Sequence, residues 1–357
     1  MSIENQATFY RLNVCDYDPS IKSDVVLTEP IIAGFAEFSN LLRTIYADFR
    51  SYELSTVPSE RTKIGIMTND LENYHNLTYT LECLCAIACK GELRSDCISV
   101  GKTLFKISYK KPAAFPFEML GKYGFYFTYY KADKEVSDYK RCDHFDVRNE
   151  DSENLLSAMK LIAEQLSEKA KDPRVAFMTA DYHFILTGEA NQNPLQQNIL
   201  NTLGSLSGLW KELVSTANDC GFTTEMSFQP YVFPYRTIAF KQNKKSVCKF
   251  EINVNRLHLR FQLPFEIAKD IVAASCKQAA DRSTLPPSIN QSIDRFGCAN
   301  CGKCTDKRNI IMTHGIELCN LPGGSFMTQE SRSLRFDITT KQEVQTLCTI
   351  FKQISLN

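Results

Sequence analysis

The sequence predicts an α+β chain of two related domains, each an antiparallel sheet with helices on one face, the second carrying a cysteine-rich insertion. Three observations predict this. Matching segments recur in the same order in both halves. Around each match the hydrophobic period alternates between strand-like, about 2, and helix-like, about 3.6. Cys298, Cys301, Cys304 and Cys319, at metal-ligand spacing, fall in one half only.

Taken in order, Thr28 to Arg50 reads as a helix, with Thr28 as N-cap, Pro30 in the first turn, and Ile32, Phe35, Phe38, Leu41 and Leu42 on the apolar side. Leu104–Tyr109 matches Val247–Ile252 as a half-buried strand: Phe105, Ile107 and Tyr109 share one face, as do Cys248, Phe250, Ile252 and Val254. Phe115-Pro-Phe-Glu-Met119 then echoes Leu263-Pro-Phe-Glu-Ile267, each opening a short helix. Tyr123–Thr128 pairs with Arg308–Thr313, and Phe145-Asp-Val147 with Phe336-Asp-Ile338. Each copy ends in an amphipathic helix, through Leu155, Met159, Ile162 and Leu166 in the first and Val344, Leu347, Phe351 and Ile354 in the second. A looser match of Ile64–Thr68 to Val175–Thr179 extends both copies toward their N-termini.

The charged, proline-ended stretch Ser167–Pro173 places the boundary near 170, giving domains 1–170 and 171–357. The offset between copies is 148 at Pro116/Pro264 and 191 at Phe145/Phe336, so the second copy holds 43 additional residues. They map to about 273–320 and contain the cysteines, with Ser283–Ser288 read as a loop.

Composition narrows the function. The chain has 357 residues, with Lys plus Arg and Asp plus Glu balanced at 41 each, so no global basic field favours nucleic acid or anionic lipid. No apolar run approaches the roughly 18 residues of a membrane span, and the N-terminus lacks the pattern of a signal peptide. A cytoplasmic location is the expectation, and the 14 cysteines are then thiols in a reducing compartment. Cys83, Cys85 and Cys89, set among apolar residues, read as small core hydrophobes.

Four thiols at the spacing of Cys298, Cys301, Cys304 and Cys319 form a closed tetrahedral donor set, which suits structural zinc and leaves no open position for hydrolysis. A two-residue hairpin at His314-Gly315 pairs Cys319 with about Ile310, near the entry of Cys304, and leaves His314 at the far tip. The run Cys298–Cys304 resembles the cluster-binding segment of bacterial ferredoxins, although Arg308 stands where their fourth cysteine would be. Its opening also resembles a retroviral-type zinc knuckle, with Asp306 in place of the knuckle histidine. The ferredoxin likeness keeps an iron–sulfur cluster as the alternative cofactor.

A basic stretch, Arg236, Lys241, Lys244, Lys245, Lys249, Arg256 and Arg260, is opposed locally by Glu251, and Leu257, Leu259 and Phe261 alternate with His258 and Arg260. Arg236, Lys245, Lys249, Arg256, His258 and Arg260 thus read as a ligand or partner face, for a small anionic ligand or a protein, with nucleic acid less favoured, or else as a solvated sheet face. Cys142-Asp143-His144 and Asp181-Tyr182-His183 set acids beside histidines without a third catalytic group, and the single tryptophan, Trp210, reads as a core anchor. No phosphate-binding glycine loop, zinc-protease helix or nucleophile elbow occurs.

Residues 207–252, with Trp210-Lys-Glu-Leu-Val, Tyr235–Phe240 and Lys244–Ile252, resemble small uncharacterised bacterial α+β domains, some compared with frataxin-like iron chaperones. The resemblance implies a bacterial, cytoplasmic, single-sheet unit and carries no functional residue. The expected function is a non-catalytic metal-binding protein that serves a ligand or partner, with zinc on the four cysteines. An iron–sulfur redox or sensing protein is the first alternative, and an enzyme with a cleft between the halves the second.

Overall fold

The computed structural model describes residues 3–52, 67–105, 114–150, 152–170, 174–189, 192–229, 235–277, 285–294, 296, 310–313, 315–319 and 332–355. Its described residues form two compact units, one running to Asn198 and the other from Ile199. Helices and antiparallel sheets are both present in each, so the chain is α+β.

The first unit opens with α1 (Ile3–Asn13), α2 (Glu29–Ala47) and α3 (Met67–Lys90), followed by β1 (Glu92–Leu93), β2 (Ile98–Gly101) and α4 (Ala114–Gly121). The hairpin of β3 (Phe125–Lys131) and β4 (Lys134–Val136), then β5 (His144–Asn149) and α5 (Glu153–Lys169), complete its sheet layer. Strand order is β1-β2-β5-β3-β4, antiparallel throughout. Val147 and Phe145 of β5 lie opposite Phe127 and Tyr129 of β3, and Phe117 of α4 stacks on Phe127 at 4.2 Å between ring centres. Ser152 caps α5 by accepting from the Leu155 amide at 3.2 Å, and the predicted Leu155, Met159, Ile162 and Leu166 are all buried. Thr28 and Pro30 start α2 as expected, although the Thr28 side chain makes no capping bond.

The first compact unit runs past the boundary expected near 170. The charged stretch ends α5 but not the unit, because α6 (Arg174–Thr179) and α7 (Tyr182–Thr187) pack back onto α1 and α2. Tyr46 donates to the Met178 carbonyl at 2.7 Å, the Thr179 carbonyl accepts from the Cys15 amide at 2.8 Å, and the buried Tyr182 hydroxyl shares a 2.9 Å bond with Ser39. Val175–Thr179 therefore packs within the first unit. The chain crosses to the second unit within α8 (Gln192–Leu203).

That unit contains α9 (Ser207–Asp219) and a four-stranded meander of β6 (Thr223–Gln229), β7 (Tyr235–Gln242), β8 (Lys245–Asn253) and β9 (Arg256–Gln262). It continues with α10 (Phe265–Lys277), α11 (Pro287–Ile293), the hairpin of β10 (Ile310–Thr313) and β11 (Ile316–Cys319), β12 (Ser333–Asp337) and α12 (Lys341–Ser355). The main sheet has the order β12-β9-β8-β7-β6, while β10 and β11 form a sheet of their own. Asn243 and Lys244, both at positive φ (50° and 66°), make the tight β7–β8 turn.

Alternation puts Phe240, Phe250 and Phe261 on one face of the sheet, where Phe351 of α12 and Trp210 of α9 meet them. The expected helical residues Val344, Leu347, Phe351 and Ile354 are buried there. Glu343 caps α12 from the third position: its carboxylate accepts from the Thr339 and Thr340 amides at 2.8 and 2.9 Å, while Thr340 Oγ1 accepts from the Glu343 amide.

Two local expectations differ. Pro287 and Ser288, read as loop, begin α11, since proline at the first helical position has a preset φ and lacks only an amide that would be unsatisfied there anyway. Leu104 lies in an exposed turn rather than a strand, and residues 106–110 of that expected strand lie outside the described residues. Ile64 and its two neighbours do so too.

Candidate metal centre and charged sheet face

Of the four candidate metal ligands, Cys298, Cys301 and Cys304 lie outside the described residues, and Cys319 is described through its backbone in β11. The backbone register is as the hairpin argument requires. Ile310 lies opposite Cys319 and Thr313 opposite Ile316, with Gly315 at φ 80° in the turn. Gly315 needs that left-handed conformation, which a side chain would oppose. Cys319 therefore stands at the open end of the ladder, where the chain enters from the Cys304 side, about 10 Å from the turn. Leu318 is fully buried in the core of the second unit, which anchors the hairpin.

The charged face is the side of the main sheet opposite its phenylalanines. Lys249, Arg256, His258 and Arg260 lie on it, as the alternation with Leu257, Leu259 and Phe261 predicts. In register, Arg335 of β12, Arg260 of β9 and Lys249 of β8 form a row of cations across three strands. Like charges directly opposite one another are unfavourable, and acids on the same face offset part of this. Glu251 takes Arg260 Nε at 2.9 Å. Asp337 takes Arg256 Nε at 3.0 Å and His258 Nδ1 at 2.7 Å.

Two members of the expected set, Arg236 and Lys245, do not join Lys249, Arg256, His258 and Arg260 on this face. Arg236 is 7% exposed and lies opposite Ile252, so strand alternation turns it to the phenylalanine side. Lys245 is exposed at the turn end of β8, beyond a register irregularity at Phe240/Lys241. Nearby, Lys241 is ion-paired with Glu225 of β6.

Asp337 and Arg335 are the members that the local reading missed. Their signal was present in the alternation of Leu334, Phe336 and Ile338, all buried, with the charged positions between them. The basic stretch looked less opposed than it is because Asp337 is 79 residues from His258 in sequence.

The two acid–histidine pairs are occupied separately. Asp181 caps α7 through the Phe184 amide at 3.2 Å. His183 Nδ1 donates to the Glu189 carbonyl at 2.7 Å, since that oxygen can only accept. Asp143 accepts from the Ala132 amide at 3.2 Å, and His144 stacks on Tyr130 at 5.1 Å. Cys142 donates to the Tyr139 carbonyl, and burial raises its thiol pKa, which disfavours the thiolate a nucleophile needs.

Among the described residues, no group of three or more His, Cys, Asp or Glu side chains could hold a metal ion, and no helix is long and apolar enough to cross a membrane. Comparison with protein-family models, with curated proteins and with solved structures finds no match for the chain.

Proposed function

We propose that this chain is a non-catalytic metal-binding protein of the cytoplasm, whose second unit holds structural zinc on Cys298, Cys301, Cys304 and Cys319 and offers its charged sheet face to an anionic ligand or partner. The observation that carries the metal reading is the Ile310–Cys319 register, which sets Cys319 opposite Ile310, six residues after Cys304 in sequence. A closed thiolate set stabilises a loop-and-hairpin segment directly, because the unfolded segment holds no preformed site. The row Arg335, Arg260 and Lys249 supports the anionic partner, which would relieve its like-charge crowding.

We also infer that the two units descend from one duplicated fold. In each, the strand before the terminal helix pairs antiparallel with the last described strand preceding the short helix: β5 with β2, and β12 with β9. Each such strand carries an ion-paired aspartate after a buried phenylalanine. Asp146 follows Phe145 and lies 3.8 Å from Arg148, while Asp337 follows Phe336 and pairs with Arg256. The hairpin of β3 and β4 extends the first sheet, whereas that of β10 and β11 stands apart from the second, in keeping with an insertion around it.

Elemental analysis of the purified full chain tests the metal. About one zinc per chain, retained through gel filtration and lost in Cys319→Ser and Cys301→Ser, is the expected result. Iron with acid-labile sulfide and visible charge-transfer absorption would replace zinc by a cluster and the structural role by a redox or sensing one. Neither metal at stoichiometry would remove the centre altogether.

A further inference from the structure

The last turns of α3 carry a second thiol cluster, distinct from the four candidate zinc ligands. Cys85 and Cys89 are four residues apart, so they stand on one side of the helix, and their sulfurs are 3.9 Å apart. Cys85 is buried at 3% exposure, while Cys89 is partly open to solvent near the helix end at Lys90. Lys160 reaches across from α5, where its Nζ donates to the Ala88 carbonyl at 3.4 Å, and Lys90 follows Cys89 directly in sequence.

This setting favours a thiolate on the outer sulfur. The Cys85 thiol donates to it, and Lys90 and Lys160 add positive charge, which together outweigh partial burial and lower the Cys89 pKa to about 7. Cys83 and Cys248 have the opposite setting, with burial pushing their thiols well above the ordinary range. A partly open, thiolate-forming cysteine next to a second thiol is the arrangement that separates redox-reactive cysteines from inert core ones.

We propose that Cys85 and Cys89 form a peroxide-oxidisable dithiol, with Cys89 as the attacking sulfur and Cys85 as the resolving one. The Cys89 thiolate attacks a hydroperoxide oxygen. The O–O bond breaks, the leaving oxygen departs as hydroxide or alkoxide and takes up a proton, and Cys89 becomes a sulfenic acid. The Cys85 sulfur then attacks Cys89 sulfur, displacing the hydroxyl group as water with the Cys85 proton, and the disulfide forms. The two thiols lose two electrons and the hydroperoxide gains them.

Helix geometry permits this closure at a helix end. Residues four apart have Cα atoms about 6 Å apart, inside the range disulfides span. Their Cβ atoms, about 5–6 Å apart, must draw in to about 4 Å. The helix ends one residue after Cys89, and the next is Gly91, so only the final turn has to tighten.

The test treats the reduced full chain with stoichiometric hydrogen peroxide, blocks remaining thiols by alkylation, and maps the tryptic peptide Ile64–Lys90, which contains Cys83, Cys85 and Cys89. The expected product is a peptide lighter by two hydrogens with one alkylated cysteine. It should form about tenfold or more faster than any oxidation of Cys248, persist in Cys83→Ala, and vanish in Cys89→Ser. In Cys85→Ser, oxidation should stop at a Cys89 sulfenic acid that a cyclic 1,3-dione captures. Cys85→Ala repeats that arm if the serine variant misfolds. A wild-type peptide that keeps three alkylatable thiols at this peroxide dose, or a bridge that needs Cys83, would overturn the proposal.

Discussion

Asp337 holds His258 through a 2.7 Å bond to Nδ1, and the same carboxylate takes Arg256. One acid thus offsets two neighbours on a face whose remaining cations run in register through Arg335, Arg260 and Lys249. The relationship sets up a test with opposed outcomes for stability and binding.

Replacing Asp337 by alanine should cost under about 1 kcal/mol, because these ion pairs are half exposed and screened by water. Retention on a heparin column should nevertheless rise, with elution at higher salt, as the face loses negative charge. Arg260→Ala should shift elution the other way. Weaker retention of Asp337→Ala would instead mean that the carboxylate orients the cations for their ligand.

Glu343 predicts an acid-sensitive second unit. Its burial raises the carboxyl pKa, but bonds from Ser288 and from the Thr339 and Thr340 amides outweigh that and hold it below its ordinary value. A carboxyl whose folded pKa is depressed contributes stability above its unfolded pKa and loses it as pH falls through the folded one. Urea midpoints should therefore drop between about pH 5 and pH 3, and Glu343→Gln should flatten that part of the profile. Glu343→Ala should cost about 1–2 kcal/mol at neutral pH through the lost cap.

Gly34 of α2 lies against α5, and a Cβ there would sit 2.3 Å from the Asn154 carbonyl oxygen and 2.7 Å from Ala158 Cβ. Alanine improves helix propensity by about 1 kcal/mol, yet the atom it meets first is backbone and cannot rotate away. Overpacking costs about 1–3 kcal/mol, so Gly34→Ala should destabilise the first unit. A higher denaturation midpoint would show that the two helices part cheaply.

Phe351 touches the rings of Phe222, Phe240 and Phe261 at 5.5–5.8 Å between centres. Phe351→Ala should cost about 3–5 kcal/mol. Trp210, the single tryptophan, packs 5.3 Å from Phe250, so its fluorescence reports this unit directly. The tryptophan transition should move to lower denaturant; an unchanged midpoint would place the cooperative core elsewhere.

Much was legible where backbone geometry alone sets the pattern. Strand alternation placed Lys249, His258 and Arg260 opposite Leu257, Leu259 and Phe261, and helical spacing identified the buried sides of α5 and α12. Turn length identified the partner of Cys319, because a two-residue hairpin leaves one register. These are properties of neighbours along the chain, and a sequence lists its neighbours.

Sequence by itself thus determined the α+β class, the amphipathic faces and the Ile310–Cys319 pairing. Only tertiary structure decided that Asp337 closes the charged face, that Arg236 turns to the core side, and that α6 and α7 stay with the first unit. The reason is distance along the chain: Asp337 reaches His258 only because β12 pairs with β9 at the sheet edge, and Lys160 reaches α3 only because α5 packs there. Strand order and helix packing arise from burial summed over a whole unit, so they give Cys89 and Asp337 surroundings that no local window contains.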